Sequence, residues 1–201
     1  MGFRDKLIAV SAAGMMLAIA PATAFAASTA MPTGGRTTQP VGHYDFCKRM
    51  PAECAVRTRN SQPLELTRKL WDSIVAINHE VNTTVSPRTD YEMWGVEEYW
   101  SYPTDVGDCE DYVLEKRRLL MKIGVPASNL LITVVRQRNG DGHAVLTVET
   151  SLGDFILDNL ESRVLAWTDT DYRYLKRQSS QDSGVWVSIG DDPNVAVGSV
   201  R

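Results

Sequence analysis

Two stretches of the chain repeat apolar residues at helical spacing. The first is predicted to form a helix over residues 63–82, with Pro63 at a first helical position. Its apolar face consists of Leu66, Leu70, Ile74, Ile77 and Val81. The second helix is predicted over residues 108–123 and ends at Gly124. Its inward stripe consists of Cys109, Tyr112, Val113, Lys116, Leu120 and Ile123. Lys116 is the polar exception in this stripe.

The second half of the chain carries short runs rich in Val, Ile, Leu and aromatic residues, which predict strands. These runs cover residues 130–137, 143–149, 154–159, 172–175 and 185–189. Turn residues separate the first three at 139–142 and 151–153. Since helices come first and an antiparallel sheet follows, the predicted fold class is α+β, with N-terminal helices packed on the sheet.

The two ends of the chain differ from this pattern. Residues 1–26 combine a basic start, an apolar run and a small-residue cleavage motif, Ala24-Phe25-Ala26, which indicate a secretory signal peptide. An uncleaved membrane anchor is the alternative, although the apolar run is short for a span. We predict a flexible leader over residues 27–43, one domain over 44–189 and a loose tail over 190–201.

Charge and cysteine content limit the classes of function that the chain can have. The 201 residues carry a formal net charge of −4, which argues against nucleic-acid binding because phosphate contacts require a basic surface. Export to an oxidising compartment favours a small disulfide loop between Cys47 and Cys54. Cys109 is then unpaired. It is a reactive thiol, an intermolecular partner or a buried structural cysteine.

Cys109, His143 and Asp158 follow one another as thiol, imidazole and carboxylate, the groups of a nucleophilic acyl-transfer site. Cys109 lies at the start of a predicted helix, where backbone N–H groups favour a thiolate and can hold an oxyanion. Taken singly, His143 is better explained as a surface histidine beside a turn, and Asp158 as a capping residue at the end of a strand. The order of the three is what indicates catalysis.

The strand pattern makes a register prediction for this triad. If an even-numbered turn joins residues 143–149 to 154–159, Val145 lies opposite Asp158 and His143 is its diagonal neighbour. The carboxylate can then orient the imidazole. An odd loop without a bulge would turn Asp158 to the other face.

Asp108, Glu110 and Asp111 crowd the thiol with negative charge, which raises the pKa of a cysteine. A bound Ca²⁺ would neutralise them, and carboxylate oxygens are its preferred ligands. The alternative is that Asp108 caps the helix while the other two favour its first turn. The residues indicate no organic cofactor.

The chain resembles the bacterial transglutaminase-like cysteine proteinase family. The resemblance rests on residues 99–103, 107–112, 142–146 and 153–160, and on the segment around Cys47 and Cys54. It implies a papain-like, transglutaminase-core fold. It also implies that Cys109 is the nucleophile, His143 the general base and then acid, and Asp158 its orienting group.

The same resemblance implies a periplasmic, calcium-dependent peptidase that cleaves a large surface adhesin and so controls biofilm attachment. Asp108, Glu110 and Asp111 match the calcium-binding positions. An inner-membrane regulatory receptor is an implied partner. By analogy with transglutaminases, the Trp100 N–H joins the Cys109 N–H in the oxyanion hole.

Two other functions remain open from the sequence. An amine acceptor in place of water would make the protein a transglutaminase or another amide acyl transferase. A non-catalytic exported binding module would keep the fold without needing a reactive Cys109.

Overall fold

A seven-stranded antiparallel sheet forms the centre of the computed structural model, which describes Met1 and residues 29–190. Its strands are β1 (Thr33–Thr37), β4 (Leu130–Arg136), β5 (Gly142–Thr150), β6 (Gly153–Leu157), β7 (Leu165–Ala166), β8 (Arg173–Ser179) and β9 (Asp182–Ile189). Their order across the sheet is β1-β9-β8-β4-β5-β6-β7. Two short parallel strands, β2 (Ser86–Pro87) and β3 (Val106–Gly107), form a separate pair.

Four α-helices accompany the sheet in the described residues. They are α1 (Val41–Arg49), α2 (Arg68–Thr84), α3 (Asp90–Trp94) and α4 (Cys109–Lys122). Short 3₁₀ helices cover Pro51–Cys54, Ala127–Asn129 and Trp167–Asp169. No helix within residues 29–190 has the length and apolar character that a membrane crossing requires.

The two predicted helices are present, with one different start. α2 begins at Arg68 rather than at Pro63. Thr67 caps it, because the Thr67 hydroxyl accepts a hydrogen bond from the Leu70 N–H. The preceding residues bond to the sheet instead: the Leu64 N–H donates to Glu149 O at 3.1 Å. α4 begins and ends within one residue of the prediction.

The main core lies between the helices and one face of the sheet. Ile74 and Val81 of α2 and Leu120 of α4 are buried there against β4 and β5. A second, smaller cluster covers the opposite face, where Met31 packs with apolar residues of β4, β5 and β6. This layering confirms the α+β prediction.

The predicted flexible leader is wrong where the structure describes it. Residues 33–37 pair with β9 as the edge strand, and α1 already begins at Val41. Polar and glycine-rich strands are poorly marked in sequence because their stability comes from the partner strand. Apart from Met1 and Gly190, the predicted signal peptide and the predicted tail lie outside the described residues.

The predicted register of the β5–β6 hairpin is confirmed. Leu146 lies opposite Leu157 and Thr150 opposite Gly153, so a two-residue turn joins the strands. One step beyond the last paired position, Val145 faces Asp158. His143 and Asp158 therefore lie on the same face of the sheet.

Candidate active site

His143 and Asp158 form a buried pair at the end of the β5–β6 hairpin. His143 Nε2 lies 2.8 Å from Asp158 Oδ1, and both side chains are almost fully buried. Oδ1 also accepts the Leu160 N–H at 2.9 Å, and the Tyr172 hydroxyl donates to Oδ2 at 2.5 Å. The imidazole is therefore held through one nitrogen, and Nδ1 makes no hydrogen bond within residues 29–190.

These donors determine the charge of Asp158. Burial by itself would raise its pKa. The hydrogen bond and charge of His143, together with the Tyr172 hydroxyl and the Leu160 N–H, outweigh burial and lower the pKa. Asp158 is thus an ionised acceptor for the imidazole at neutral pH.

Cys109 is the first residue of α4, is half-buried and is the free cysteine of the described chain. Its Sγ donates to Glu110 Oε2 at 3.1 Å, and no hydrogen bond joins it to His143 in this structure. The Ala144 N–H, next to His143 in β5, does contact the sulfur. α4 thus presents the thiol to the strand that carries the imidazole.

The surroundings of the thiol disfavour its ionisation. Burial raises the pKa of Cys109 well above its ordinary value, and the charges of Glu110 and Asp108 raise it further. The Ala144 N–H offsets this only in part. In this arrangement the thiol donates its hydrogen bond to Glu110 and not to His143.

Three carboxylates converge beside Cys109, and we call this set the acidic cluster: Asp90, Asp108 and Glu110. One oxygen from each lies within 4.8 Å of the others. Burial and mutual repulsion raise the pKa of Asp108 to about 7 and that of Glu110 well above its ordinary value. Asp90 Oδ1 and Asp108 Oδ1 are buried and have no hydrogen-bond partner in the described chain. Orphaned, converging carboxylate oxygens fit a hard divalent cation such as Ca²⁺.

The acidic cluster differs from the predicted ligand set by one residue. Asp111 Oδ1 accepts the Ser101 N–H at 2.7 Å, and Asp111 Oδ2 is buried without a hydrogen-bond partner in the described chain, but neither oxygen joins the three that converge. Asp90, on α3, takes the third position instead. Sequence analysis missed it because residues 83–107 show no apolar period. The Thr89–Glu92 capping box that starts α3 was the available signal.

The predicted oxyanion role of Trp100 does not agree with its placement. Its indole N–H donates to Glu98 Oε2 at 3.1 Å. The ring is buried against α1, with His43 edge-on at 5.3 Å between centroids, and a side chain at Gly42 would overlap it. Trp100 therefore joins α1 to the segment beside the acidic cluster, and its N–H is not available to a substrate carbonyl here.

The predicted disulfide is present between Cys47 and Cys54, with a Cα–Cα distance of 5.6 Å. It joins α1 to the following 3₁₀ helix. Arg49 extends from the same helix and donates to Trp100 O at 2.6 Å. The crosslinked N-terminal segment thus supports the chain that leads to the site.

Comparisons with known proteins identify the family of the chain. The family model described as bacterial transglutaminase-like cysteine proteinase matches residues 33–194. Among solved structures, Legionella pneumophila LapG is 28% identical with a TM-score of 0.50, and the match covers 59% of this chain and 68% of that one. The EGTA-treated form of the same protein is 26% identical with a TM-score of 0.50, covering 63% and 74%. A calcium-bound form is 26% identical with a TM-score of 0.47, covering 65% and 81%. The curated proteins searched contain no match.

Proposed function

The chain belongs to the bacterial transglutaminase-like cysteine proteinase family, and from this we propose that it hydrolyses peptide bonds through Cys109, His143 and Asp158. The enzyme class, a transglutaminase-like cysteine peptidase, and the papain-like core follow from the family and from the LapG structures. The three catalytic assignments are the proposal.

The His143–Asp158 pair is the observation that supports this proposal. Asp158 fixes Nε2, so Nδ1 is the nitrogen left to exchange a proton with the thiol. Cys109 is the first residue of α4, and its sulfur contacts the Ala144 N–H beside His143. N–H groups at a helix start can stabilise an oxyanion. Apo geometry in such sites is often loose and tightens with substrate.

The proposed chemistry takes two steps. The Cys109 thiol gives its proton to His143 Nδ1 and the sulfur attacks the carbonyl carbon, while the Cys109 N–H supports the oxyanion. His143 returns the proton to the leaving amine as the C–N bond breaks. Water, deprotonated by His143, then cleaves the thioester and restores the thiol.

The acidic cluster gives a reason for calcium dependence. Ca²⁺ held by Asp90, Asp108 and Glu110 would supply positive charge beside the thiol. Glu110 engaged in this way would no longer accept the Cys109 proton, which would lower the pKa of the thiol and leave it free to pair with His143.

The proposed location and substrate follow from the N-terminal composition and from the family resemblance. Residues 1–26 have the composition of an export signal, so we place the mature protein in the periplasm. A large surface adhesin is the substrate that the family resemblance implies, with an inner-membrane receptor as regulator. The proposed biological role is the control of biofilm attachment.

Alkylation of Cys109 by iodoacetamide at pH 7 tests the proposal directly. We expect labelling faster than that of a free thiol in the presence of Ca²⁺, and a loss of this excess after EGTA or in His143→Ala. Cys109→Ser is the labelling control and should leave secondary structure unchanged. Labelling no faster than free cysteine under every condition would contradict the proposal. Incorporation of a labelled amine into a substrate peptide would assign acyl transfer instead of hydrolysis.

A further inference from the structure

Three consecutive residues connect the two helices that carry the acidic cluster, and we call residues 99–101 the bridging segment. At one end the Tyr99 N–H donates to Asp90 Oδ2, on the first residue of α3. At the other end the Ser101 N–H donates to Asp111 Oδ1 at 2.7 Å, in the first turn of α4. The bridging segment therefore restrains how far Asp90 lies from the carboxylates of α4.

Arg49 contacts the middle of the bridging segment from a third element. It is the last residue of α1, and its guanidinium donates to Trp100 O at 2.6 Å. The same guanidinium lies 3.7 Å from the centre of the Tyr99 ring, which is a cation–π contact. A planar guanidinium suits this double contact, because it donates from its edge while its face stacks on a ring. Arg49 thus restrains both the main chain and a side chain of the segment.

The position of Arg49 is itself restrained by the disulfide. Arg49 lies two residues after Cys47, inside the loop that the Cys47–Cys54 bond closes. Glu53, in the same loop, pairs with the buried Arg117 of α4 at 3.0 Å. One crosslinked loop therefore contacts α4 at one point and the bridging segment at another. It joins the two parts of the chain whose carboxylates converge.

A converging set of carboxylates needs such support when no cation is bound. Burial and the charge of Asp90 raise the pKa of Asp108 to about 7, so the two side chains repel each other once both are ionised. This repulsion tends to separate α3 from the start of α4, and the bridging segment opposes it. Groups that hold the ligands of a metal in place commonly change its affinity by about 10- to 100-fold.

We propose that Arg49 is a positioning residue for the cation site of the acidic cluster. It holds the bridging segment, and the segment keeps Asp90 close to Asp108 and Glu110, so that the three oxygens stay arranged for Ca²⁺. This inference rests on the proposed binding of calcium by the cluster. Arg49 contacts neither the cation nor the substrate. Its loss therefore weakens calcium binding and leaves the reaction of the calcium-bound protein unchanged.

The charge of Arg49 by itself predicts the opposite effect on calcium. Burial raises the pKa of Asp90, and the charge of Arg49 acts in the other direction, so the guanidinium is felt at the cluster. A cation near an acidic site repels Ca²⁺, and removing only that charge would strengthen calcium binding. Removing a support of the ligands would weaken it. The sign of the change therefore separates the two roles.

The test compares Arg49→Met with Lys48→Met in the full chain. Both residues are exposed in the last turn of α1, and each substitution removes one positive charge. Lys48 contacts Asp45 and the Tyr44 ring on its own helix, which makes it the matched control. The two variants differ in whether the bridging segment loses a contact.

Three quantities are measured for each variant. Isothermal titration calorimetry gives the dissociation constant of Ca²⁺. Hydrogen exchange by NMR in the metal-free protein reports on the Tyr99 and Ser101 amides. The alkylation rate of Cys109 is followed as the Ca²⁺ concentration increases. Asp90→Asn is measured in parallel, because it removes a proposed ligand.

We expect Arg49→Met to raise the dissociation constant of Ca²⁺ about tenfold and to speed the exchange of both amides. At saturating Ca²⁺ its alkylation rate should equal that of the wild type. Lys48→Met should not weaken calcium binding. Arg49→Lys keeps the charge and should lie between wild type and Arg49→Met. If Arg49→Met does not fold, Arg49→Lys must still weaken calcium binding.

The outcomes separate this inference from the proposed calcium site beneath it. A dissociation constant for Arg49→Met equal to or below that of the wild type would overturn the positioning role, as would an equal weakening in Lys48→Met. A slower alkylation rate at saturating Ca²⁺ would place Arg49 in the reaction itself, contrary to the inference. If the wild type binds no Ca²⁺, or Asp90→Asn binds it equally well, the calcium site fails first.

Discussion

Removal of metal should make the stability of this protein fall as the pH rises. The cause is the acidic cluster, whose carboxylates are forced together when no cation separates them. Burial and the charge of Asp90 raise the pKa of Asp108 from 3.8 to about 7. Between these two values the folded protein keeps a proton that the unfolded chain has released. Folding then becomes less favourable as the pH increases.

The size of the effect follows from the shift. About three pKa units at about 1.4 kcal/mol each give roughly 4 kcal/mol, present below the ordinary pKa of Asp108 and lost by about pH 7. Calcium binding requires ionised carboxylates, so the bound protein should not show this loss. Burial, with smaller effects of the Asp108 and Asp90 charges, also raises the pKa of Asp111 to about 8. The pH dependence of the metal-free protein therefore includes a contribution from Asp111.

The assay is urea unfolding followed by tryptophan fluorescence at pH 5 and pH 8. Metal is removed with a chelating resin, and a second set contains saturating Ca²⁺. We expect the metal-free protein to be several kcal/mol less stable at pH 8 than at pH 5, a difference reduced by Ca²⁺ and by Asp90→Asn. Equal pH dependence with and without Ca²⁺ would refute the account of the cluster.

Three further changes test the surroundings of the site. Replacing Cys47 and Cys54 by alanine removes a crosslink between residues seven positions apart and should lower the free energy of unfolding by about 2.5 kcal/mol. An unchanged urea midpoint would show that the disulfide does not stabilise the fold. Tyr172→Phe removes a hydrogen bond to the ionised Asp158 carboxylate, so alkylation of Cys109 should slow about tenfold. Circular dichroism should be unchanged. A normal alkylation rate would show that the bond is dispensable. Gly107→Ala places a Cβ 2.8 Å from a neighbouring Cβ and should cost about 1–3 kcal/mol in thermal unfolding, whereas Gly35→Ala has open space and should be neutral. Equal effects at the two glycines would contradict the close approach.

The sequence predicts the elements whose apolar pattern is uninterrupted. α4 shows a regular stripe and a glycine stop, and its bounds agree within one residue. Side-chain alternation predicts that His143 and Asp158 share a face if the β5–β6 turn has an even number of residues, and the observed two-residue turn meets this condition. The bounds of α4 and the register of the hairpin are set by residues close together in the sequence, so the sequence pattern can predict them.

The elements that the sequence leaves unmarked depend on distant partners. β8 extends to Ser179 through buried polar residues, which an apolar pattern excludes. Arg177 is matched by Asp154 at 3.0 Å, and Lys176 donates to Thr38 O at 2.8 Å. Asp90 belongs to the same class, because only the folded chain brings it beside residues 108 and 110. Local periodicity carries no information about such pairings.

The segment before α1 crosses one whole face of the sheet. Thr29 O accepts the Trp167 indole N–H and the Asp154 N–H near one edge, and β1 pairs with β9 at the other. The pairing partner of Thr33 in this segment is Ile189, about 150 residues later in the chain. β1 therefore cannot join the sheet until nearly all of the domain is available to fold. Pairing across so large a separation slows folding, and chaperones have the longest opportunity to bind this segment.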